Sequence, residues 1–487
     1  MPHLVVTVTG RTMDELRRAR DAAAHADLVE VRLDGVADPS AAGALEGRLR
    51  PVIVTCRPSW EGGSFDGAED DRRRILMDAC NAGAEFVDVE ARADFAPDLI
   101  RARRGRGVVA SAHLFGAGPR DLAGQLGMLR GSGAEVAKLA VEVDSLAETL
   151  PLFELGGQQP ADGPCPDHVL IAMGRRGVHT RVLAARLRNR WTYAGDAVAP
   201  GQMPASRMVG EFRFPRIRED ADLYGVTGDP VGHSLSPAMH NAGFAEAGIN
   251  AAYVSLEARD ADDFVTFART LELRGASVTA PYKVEMMERV QEVDEVGQAV
   301  GAINTIVVSG HRWRGTNTDV AGFLAPLEGR MTLRGARVAV LGAGGAARAL
   351  AYALRRQGAA VTIHARRIAS ARALAALAGV KAAAFPPRPG TWDVLVNATS
   401  AGGNGEDNPM AGVPLDGEIV FDLVYSPPDT ALIRQARAAG CWTIGGIEML
   451  IGQAEKQFEL WTGAAPPAGL FRQAVDSARA GRTGVPS

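Results

Sequence analysis

The sequence has few lysines and makes little use of them as ordinary surface charges. Lysine and arginine together number 53, but only four of these residues are lysines, at positions 138, 283, 381 and 456. Arginine keeps its proton in proteins, whereas lysine can lose it when buried. A lysine retained among apolar neighbours therefore indicates a role that arginine cannot fill. Lys138 in EVAKLAV and Lys283 in SVTAPYKV have such surroundings.

Cysteine, long apolar runs and excess charge are also scarce. The four cysteines (56, 80, 165 and 441) lack C-x-x-C spacing, which predicts reduced thiols in a cytoplasmic protein and no metal site. No apolar run approaches about 18 residues, and the first residues show no export signal, so we expect no membrane segment. A net charge of -4 predicts no bulk attraction to nucleic acid. The length of 487 residues predicts about three domain-sized units.

The most specific stretch covers residues 337–367. The apolar strand RVAVL is followed by Gly342, Ala343, Gly344, Gly345 and Ala346, then by an Ala/Leu-rich helix and a second strand, AVTIH. The glycines allow a tight turn and close approach of the backbone to a diphosphate, while free N–H groups at the helix start favour phosphate. This order predicts a Rossmann-like dinucleotide-binding lobe. A plain βαβ connection without a ligand is the alternative.

The end of that second strand indicates which dinucleotide binds. An acidic residue about 20 residues after the fingerprint would accept a hydrogen bond from the ribose 2′-hydroxyl of NAD. This sequence has Arg366 and Arg367 there instead. Because two guanidinium groups suit a 2′-phosphate, the sequence predicts NADP as the cofactor.

Eight short β-rich runs alternate with helical segments over the first 195 residues. The runs are LVVTVT (4–9), LVEVRL (28–33), VIVTCR (52–57), FVDVE (86–90), VVASAH (108–113), EVAKLA (135–140), HVLIAM (168–173) and WTYAG (191–195). This alternation predicts a (β/α)8 barrel within an α/β protein. A doubly wound open sheet is the alternative, but no glycine fingerprint interrupts these units, which favours closure.

Polar residues cluster where these strands end, the position at which barrel enzymes place their sites. They are Glu30, Arg32, Arg57, Glu61, Glu90, His113, Lys138, Arg181 and Gln202. Singly, each has an ordinary explanation: Glu30 with Arg32 could form a structural ion pair, and a lone histidine is often a hydrogen-bonded core residue. Together they predict an active site.

The chemistry of that site follows from its residue types. Lys138, flanked by apolar residues, should lose its charge through desolvation and form a Schiff base with a ketone. His113 on the neighbouring strand is placed to act as general acid and base. Arg57 and Arg181 suit a carboxylate. A class I aldolase is an alternative, because a barrel lysine also serves C–C cleavage, but His113 with Arg57 and Glu61 favours elimination.

Residues 1–215 resemble type I 3-dehydroquinate dehydratases through VEVRLD, TCRPSWEGG, SAH, VAKLA, GVHTRVL and APGQ, in the same order. The resemblance implies elimination of water from 3-dehydroquinate through a Schiff base on Lys138, with His113 as general acid/base. It places Glu30, Arg32, Arg57, Glu61, Arg181 and Gln202 around the substrate and Glu90 in a supporting network. Val198 stands where the family usually has a hydroxyl residue, so we expect one hydrogen bond fewer.

A charged segment over residues 212–222 predicts a linker, after which a new pattern begins. Lys283, Asn304 and Asp319 each lie at the end of a predicted strand and form a polar focus for a hydroxylated ring. A carboxylate beside a lysine orients the amine and permits proton exchange with a reacting hydroxyl. Ser234 and Ser236 are either loop and cap residues or hydroxyls that hold a small carboxylate.

Residues 222–487 resemble shikimate dehydrogenases through GDPVGHSLSPAMHN, VTAPYK, GAINT, TNTD, GAGGAA, VNATS, FDLVY and GIEMLIGQA. The resemblance implies that Lys283 and Asp319 form the catalytic pair. It implies that shikimate is bound by Ser234, Ser236, Thr279, Asn304, Asp319 and Gln453, with Tyr425 facing the site. Asn397, Thr399 and Ser400 would lie along the cofactor.

The two resemblances connect, because 3-dehydroshikimate is the product of the first reaction and the substrate of the second. We predict a bifunctional enzyme with a barrel (1–215), a substrate lobe (222–331, completed by 447–487) and a Rossmann-like lobe (332–446). Its partners are small molecules, with no nucleic acid and no membrane; the oligomeric state is not predicted. The alternative makes one half an inactive ligand-sensing or regulatory module. We expect residues 480–487 to be frayed.

Overall fold

The computed structural model describes residues 1–116, 120–158, 166–196 and 199–483. They belong to two compact units. The first comprises Met1–Gly225, Pro230–Glu272 and the chain from Ala474 onward, and the second comprises Val226–Asp229 and Leu273–Gln473. Val198 lies outside the described residues. Among the described residues, no helix combines the length and apolar character needed to cross a membrane.

The first unit begins with eight parallel strands. They are β1 (His3–Val8), β2 (Leu28–Arg32), β3 (Val52–Thr55), β4 (Phe86–Glu90), β5 (Val108–Leu114), β6 (Val136–Glu142), β7 (Asp167–Met173) and β8 (Trp191–Ala194). Their order is β7-β6-β5-β4-β3-β2-β1-β8. The strands are almost wholly buried, as expected for a parallel sheet covered by helices. The predicted barrel architecture is confirmed, and each predicted strand lies where the sequence placed it.

Eight helices connect or follow these strands. They are α1 (Met13–Ala22), α2 (Ala41–Leu45), α3 (Glu69–Asn81), α4 (Ala96–Ala102), α5 (Leu122–Gly131), α6 (Leu150–Gly157), α7 (Val178–Val182) and α8 (Ala205–Gly210). Several begin at side chains that accept from the first turn, such as Thr12 for α1 and Asp121 for α5. Large side chains such as Trp191 pack in the core, and the ring of Trp191 lies edge-on to Phe86.

The first unit also contains β9 (Asp222–Gly228) up to Gly225, α9 (Ser236–Glu246), β10 (Ala251–Glu257) and α10 (Ala261–Thr270). The helix α10 packs against the barrel. The carboxylate of Asp263 accepts hydrogen bonds from the backbone N–H groups of Leu146 (3.0 Å) and Ala147 (2.9 Å). The ring of Phe267 meets His179 edge-on with centroids 4.8 Å apart. The barrel and residues 230–272 therefore share one core.

The second unit opens with a mixed sheet. Its elements are β11 (Gly275–Val278), β12 (Glu292–Val293), α11 (Glu295–Val300), β13 (Thr305–Ser309), β14 (Arg312–Thr316) and α12 (Asp319–Leu324). The strand order is β11-β13-β14-β12. β13 is antiparallel to both its neighbours, and β12 is parallel to β14.

A six-stranded parallel sheet follows in the order β17-β16-β15-β18-β19-β20. Its elements are β15 (Arg337–Leu341), α13 (Gly345–Arg356), β16 (Ala360–His364), α14 (Ile368–Ala378), β17 (Lys381–Ala383), β18 (Val394–Asn397), β19 (Ile419–Asp422), α15 (Ala431–Ala438) and β20 (Trp442–Gly445). The strand order reverses between β15 and β18. Ligands bind at such a reversal in open α/β sheets, and the predicted Rossmann-like fold is confirmed.

Two helices close the chain, α16 (Gly446–Thr462) and α17 (Leu470–Thr483). α16 packs on the mixed sheet, where Trp461 donates to the carbonyl of Ile306 at 3.0 Å. The expected fraying from residue 480 is wrong as far as Thr483, because α17 continues to that residue and Arg482 is held by hydrogen bonds.

Candidate active sites

The carboxyl ends of the barrel strands enclose a cavity of about 80 Å3. Its lining includes all eight residues that the sequence analysis placed around the first substrate: Glu30, Arg32, Arg57, Glu61, His113, Lys138, Arg181 and Gln202. The strand ends thus converge as expected for a barrel enzyme.

Lys138 lines this cavity and is 5% exposed. Its Nζ donates to Oδ2 of Asp88 at 2.8 Å, lies 3.6 Å from Oε1 of Glu30 and sits 4.4 Å from the ring centre of Tyr193. Burial alone would lower the pKa of the amine, but Asp88, Tyr193 and Glu30 outweigh burial and raise it. The expectation of an amine that loses its charge through desolvation is therefore wrong for the ligand-free protein.

Asp88 is the residue that the sequence analysis missed. Its carboxylate is fully buried and accepts from Lys138, from Arg57 Nη2 (2.9 Å) and from the Ser111 hydroxyl (2.6 Å). Burial would raise its pKa, but Arg57 and Lys138 lower it far below the usual range. The signal was present in FVDVE, because alternate strand residues point to the same side and Asp88 therefore shares a side with Glu90.

His113 and Glu61 form the second polar pair of the cavity. Oε1 of Glu61 accepts from the backbone N–H of His113 at 2.8 Å and lies 2.9 Å from its Nδ1. Burial raises the pKa of Glu61 to about 7, against the opposing charge of Arg57. Burial, Arg57 and Lys138 lower the pKa of His113 well below its usual value. The imidazole is consequently neutral near pH 7.

Arg57 is engaged by the protein rather than left open to a ligand. Its Nη1 donates to Glu90 (2.6 Å) and to the Ser111 hydroxyl (2.8 Å), and its Nη2 donates to Asp88. To form the predicted forked hydrogen bond with a substrate carboxylate, Arg57 would have to give up its hydrogen bonds to Glu90, Ser111 and Asp88. Glu90 also binds Arg72, so it belongs to a buried network, as the sequence analysis expected.

Arg32 and Arg181 also line the cavity. Arg32 forms a forked ion pair with Asp34, both contacts at 2.8 Å, so the alternative ion pair with Glu30 does not form. Arg181 donates to the carbonyls of residues 200 (3.1 Å) and 201 (3.0 Å). Burial lowers its pKa to about 10. Gln202, in the same loop, donates to the Thr7 hydroxyl at 3.2 Å.

The second unit holds a lysine–carboxylate pair of its own. Nζ of Lys283 lies 2.5 Å from Oδ2 of Asp319, and the amide of Asn304 donates to Oδ1 at 2.8 Å. Asp319 begins α12, Lys283 follows β11, and Asn304 immediately precedes β13. The predicted polar focus therefore exists: Asp319 fixes the position of the Lys283 ammonium, and Asn304 fixes the position of Asp319.

The remaining residues predicted around the second substrate are divided between the units. Thr279 follows β11, Tyr425 follows β19 and is partly buried, and Gln453 lies on α16 with 8% exposure. Ser234 and Ser236 belong to the first unit, where the Ser234 hydroxyl accepts from the backbone N–H of Ser236 at 3.2 Å.

Arg482 on α17 is a second residue that the sequence analysis missed. It donates to the backbone carbonyls of His233 (2.6 Å) and Ser234 (2.8 Å), and both oxygens of Glu211 accept from it at 2.7 Å. The two contacts with backbone carbonyls hold the loop that carries Ser234, and the two with Glu211 anchor the arginine. No local motif could have indicated them, because the contacts span some 250–270 positions.

The turn between β15 and α13 suits a dinucleotide. Gly342 has φ 113°, and a Cβ there would lie 2.9 Å from the carbonyl oxygen of Ala398. A Cβ on Gly344 would meet nothing within 4 Å, so the turn is open on that side. Gly345 starts α13, and its added Cβ would lie 3.7 Å from Cδ of Lys283. The phosphate-binding turn therefore lies next to the catalytic lysine candidate.

The other predicted cofactor residues differ in their exposure and in their hydrogen bonds within the protein. Ala343 and Ala346 are partly buried in the turn, and Ser400 is exposed. Arg366 and Arg367 are exposed after β16 and make no side-chain hydrogen bond or ion pair with the described residues, so both are available to a 2′-phosphate. The Asn397 amide instead bonds Asp422, Ala401 and Thr399 within the protein and shapes the turn after β18.

Comparisons with known proteins match both halves of the chain. Family models describe residues 4–217 as type I 3-dehydroquinase, residues 226–306 as shikimate dehydrogenase substrate binding domain and residues 446–475 as shikimate 5'-dehydrogenase C-terminal domain. The chloroplastic bifunctional 3-dehydroquinate dehydratase/shikimate dehydrogenase of Arabidopsis thaliana is 33% identical over 92% of this chain and 79% of its own length.

Two single-function proteins match the second half. Shikimate dehydrogenase (NADP(+)) of Methanocella arvoryzae is 40% identical over 53% of this chain and 98% of its own length. The crystal structure of shikimate dehydrogenase from Aquifex aeolicus superposes with a TM-score of 0.50 at 32% identity, covering 53% of this chain and 99% of that one. Both predicted resemblances are confirmed, and the aldolase alternative has no support among these matches.

Proposed function

The chain belongs to the family of bifunctional 3-dehydroquinate dehydratase/shikimate dehydrogenase enzymes, and from this membership we propose how its residues carry the two reactions. The barrel dehydrates 3-dehydroquinate to 3-dehydroshikimate, which the second half reduces to shikimate with NADPH. One observation supports the assignment of both sites: each half places a lysine against a buried carboxylate, Lys138 with Asp88 and Lys283 with Asp319.

In the barrel, Lys138 adds to the substrate ketone, and loss of water gives an imine. Because the ligand-free amine is held as an ammonium by Asp88 and Glu30, it must first give up a proton, which the neutral His113 accepts. His113 then returns this proton to the hydroxyl that leaves as water when the protonated imine forms, so it is neutral again for the next step. The imine then withdraws electrons from the adjacent carbon, from which His113 removes a proton. The same proton returns to the departing hydroxyl, and hydrolysis of the imine restores Lys138.

In the second half, the turn at Gly342–Gly345 would hold the diphosphate of NADPH, and Arg366 with Arg367 would bind its 2′-phosphate. The cofactor would supply the hydride for the ketone of 3-dehydroshikimate. Lys283 donates a proton to the ketone oxygen as its charge grows, while Asp319 and Asn304 keep the ammonium in place. Thr279, Tyr425 and Gln453 of the second unit complete the binding of the ring, whereas the roles of Ser234 and Ser236 remain predictions from the family resemblance.

The domain limits are part of this proposal: a barrel over 1–215, a substrate lobe over 222–331 with 447–487, and an NADP-binding lobe over 332–446. The matched family ranges support the first limit, since they end at 217 and resume at 226. A cytoplasmic location is proposed from the scattered cysteines; among the described residues, those at positions 56, 80 and 441 are unpaired.

A two-step assay on the full chain tests the proposal. With 3-dehydroquinate and NADPH, shikimate should form and NADPH should be consumed. Lys138→Ala should stop this flux, and added 3-dehydroshikimate should restore it; Lys283→Ala should stop it after 3-dehydroshikimate has accumulated. Failure of one half to turn over, with tight binding of its substrate retained, would favour the alternative of a ligand-sensing module.

A further inference from the structure

The first unit contains a second pocket, of about 260 Å3, that shares no lining residue with the cavity around Lys138. It lies between the segment that follows α8, the end of α9 and the start of β10. The polar residues of its lining are Arg213, Arg216, Arg218, Asn241 and Asn250. Three guanidinium groups therefore converge on one concave surface.

Two of these guanidinium groups have no counter-charge in contact. Nε of Arg213 is buried and has no hydrogen-bond partner, and neither Arg213 nor Arg216 makes a side-chain hydrogen bond or ion pair with the described residues. Burial and the nearby charge of Arg216 both lower the pKa of Arg213. Like charges placed side by side in a partly desolvated pocket are unfavourable unless a ligand compensates them.

The backbone at Arg213 adds a second observation. Its φ of 53° and ψ of 37° are left-handed, a conformation that favours glycine over a long side chain. Such strain persists where the surrounding structure requires it and clusters at functional sites. The chain thus holds a charged residue in a strained backbone conformation, beside another charge of the same sign.

The negative groups nearby do not balance the pocket. Glu246, at the end of α9, acts on Arg213 without forming an ion pair, and Asp220 lies 3.4 Å from Arg218 and accepts from Asn250. Asp220 therefore pairs with Arg218, whereas the partly buried Arg213 and the exposed Arg216 have no carboxylate in ion-pair contact among the described residues.

We propose that this pocket binds a phosphate dianion, either free or as the head group of a small phosphate monoester. Guanidinium groups match phosphate oxygens through paired hydrogen bonds, and two of them compensate a dianion. The volume accommodates the head group with a small organic body. The site is separate from both active sites, and it lies on the segment that connects the barrel to residues 230–272.

The test uses isothermal titration of the full chain with inorganic phosphate and with phenyl phosphate, in saturating 3-dehydroshikimate and oxidised NADP, which occupy both active sites without hydride transfer. Arg213→Gly suits the left-handed backbone while removing the charge, and Arg216→Gln keeps polarity without charge. Arg101→Gln, at an exposed arginine elsewhere on the barrel, is the matched control. Both pocket variants should bind at least about tenfold more weakly, whereas the control should match the parent.

Tighter binding of phenyl phosphate than of inorganic phosphate identifies the monoester as the ligand class, and equal binding identifies free phosphate. Without phosphate, Arg213→Gly should melt no lower than the parent and keep both activities, because glycine relieves the strain. Absence of binding to the parent chain, or equal weakening in the Arg101→Gln control, would overturn the proposal. So would a lower melting temperature of Arg213→Gly with phosphate affinity unchanged, since that indicates a structural role alone.

Discussion

The charge on Lys138 is set by its contacts more than by its burial. Sequence reasoning located Lys138 and His113 because both interrupt apolar strands at their carboxyl ends, where barrel sites lie. It misjudged the pKa of Lys138, because that pKa depends on Asp88. Asp88 lies on β4, two strands away from β6 in the sheet, and its carboxylate is 2.8 Å from Nζ of Lys138. The type of a residue and its place on a strand are local properties, whereas the sum of charges around it requires the folded chain.

Asp88→Asn should therefore change how Lys138 titrates. Loss of the carboxylate lowers the pKa of the amine, so borohydride trapping of the 3-dehydroquinate adduct on Lys138 should extend to lower pH. Breaking a buried ion pair should also reduce the free energy of unfolding by roughly 3 kcal/mol. Mass spectrometry of the Lys138 peptide across pH measures the first effect, and denaturant unfolding the second. An unchanged trapping profile would contradict the role given to Asp88.

Protonation of Glu61 should lower the rate of dehydration at acidic pH. Above pH about 7 its carboxylate accepts from Nδ1–H of His113, which leaves Nε2 free to act as a base. Below that pH the protonated carboxyl donates to Nδ1, and the other tautomer cannot accept a proton at Nε2. kcat/KM for 3-dehydroquinate should fall on the acid side with a midpoint near pH 7.

Glu61→Gln provides the comparison for this pH profile. The amide oxygen can still accept from Nδ1–H but does not titrate, so the acid limb should move to lower pH while kcat falls. If the midpoint near pH 7 persists in Glu61→Gln, another group must be responsible.

At the level of elements, strands and turns were predictable where residues close together in the sequence determine them. The runs of valine, alanine and leucine defined β1–β8, and the fingerprint defined the turn at Gly342, where only glycine fits beside Ala398. The end of α17 was not predictable. Its last turn is held by partners distant in sequence, so composition alone indicated a frayed terminus.

Arg366 and Arg367, at the turn from β16 to α14, should determine cofactor choice. Replacing both by alanine removes two exposed guanidinium groups that have no other partner among the described residues. Because hydrogen bonds to charged groups contribute about 1.5–3 kcal/mol each, KM for NADP should rise by at least about tenfold. KM for NAD should change little. Equal increases for both cofactors would show that these arginines do not read the 2′-phosphate.

Arg482→Ala should loosen the loop that carries Ser234. The variant loses contacts to two loop carbonyls and to Glu211. KM for shikimate should rise roughly three- to tenfold in steady-state oxidation assays, while the dehydration rate stays unchanged. Lys456→Ala, at a partly exposed lysine of α16 with a single ion pair, is the control. An increase in KM of the same size in that control would remove the special role of Arg482.

At the scale of the whole molecule, the linker predicted over residues 212–222 does not separate two independent bodies. Phe212, Phe214 and Ile217 within it are buried, and residues 230–272 belong to the same compact unit as the barrel. The motifs indicated two enzymes, one after the other along the chain. They could not predict that residues 230–272 pack against the barrel, because such packing produces no motif in the sequence. A barrel expressed alone would expose the apolar surface that α10 covers, so full-length variants are the sounder tests.

Phe267→Ala measures that shared core directly. Phe267 lies outside the barrel family match, yet its fully buried ring contacts His179 and Phe153 of the barrel. Removing a buried phenyl ring lowers stability by about 3–5 kcal/mol, so dehydratase activity should be lost at a lower temperature in the full chain. Phe421→Ala removes an equally buried ring from the NADP-binding sheet and should lower the inactivation temperature of shikimate oxidation instead. If Phe267→Ala left the thermal inactivation of dehydration unchanged, the barrel would be stable without α10, and the two enzymes would be joined by the linker alone.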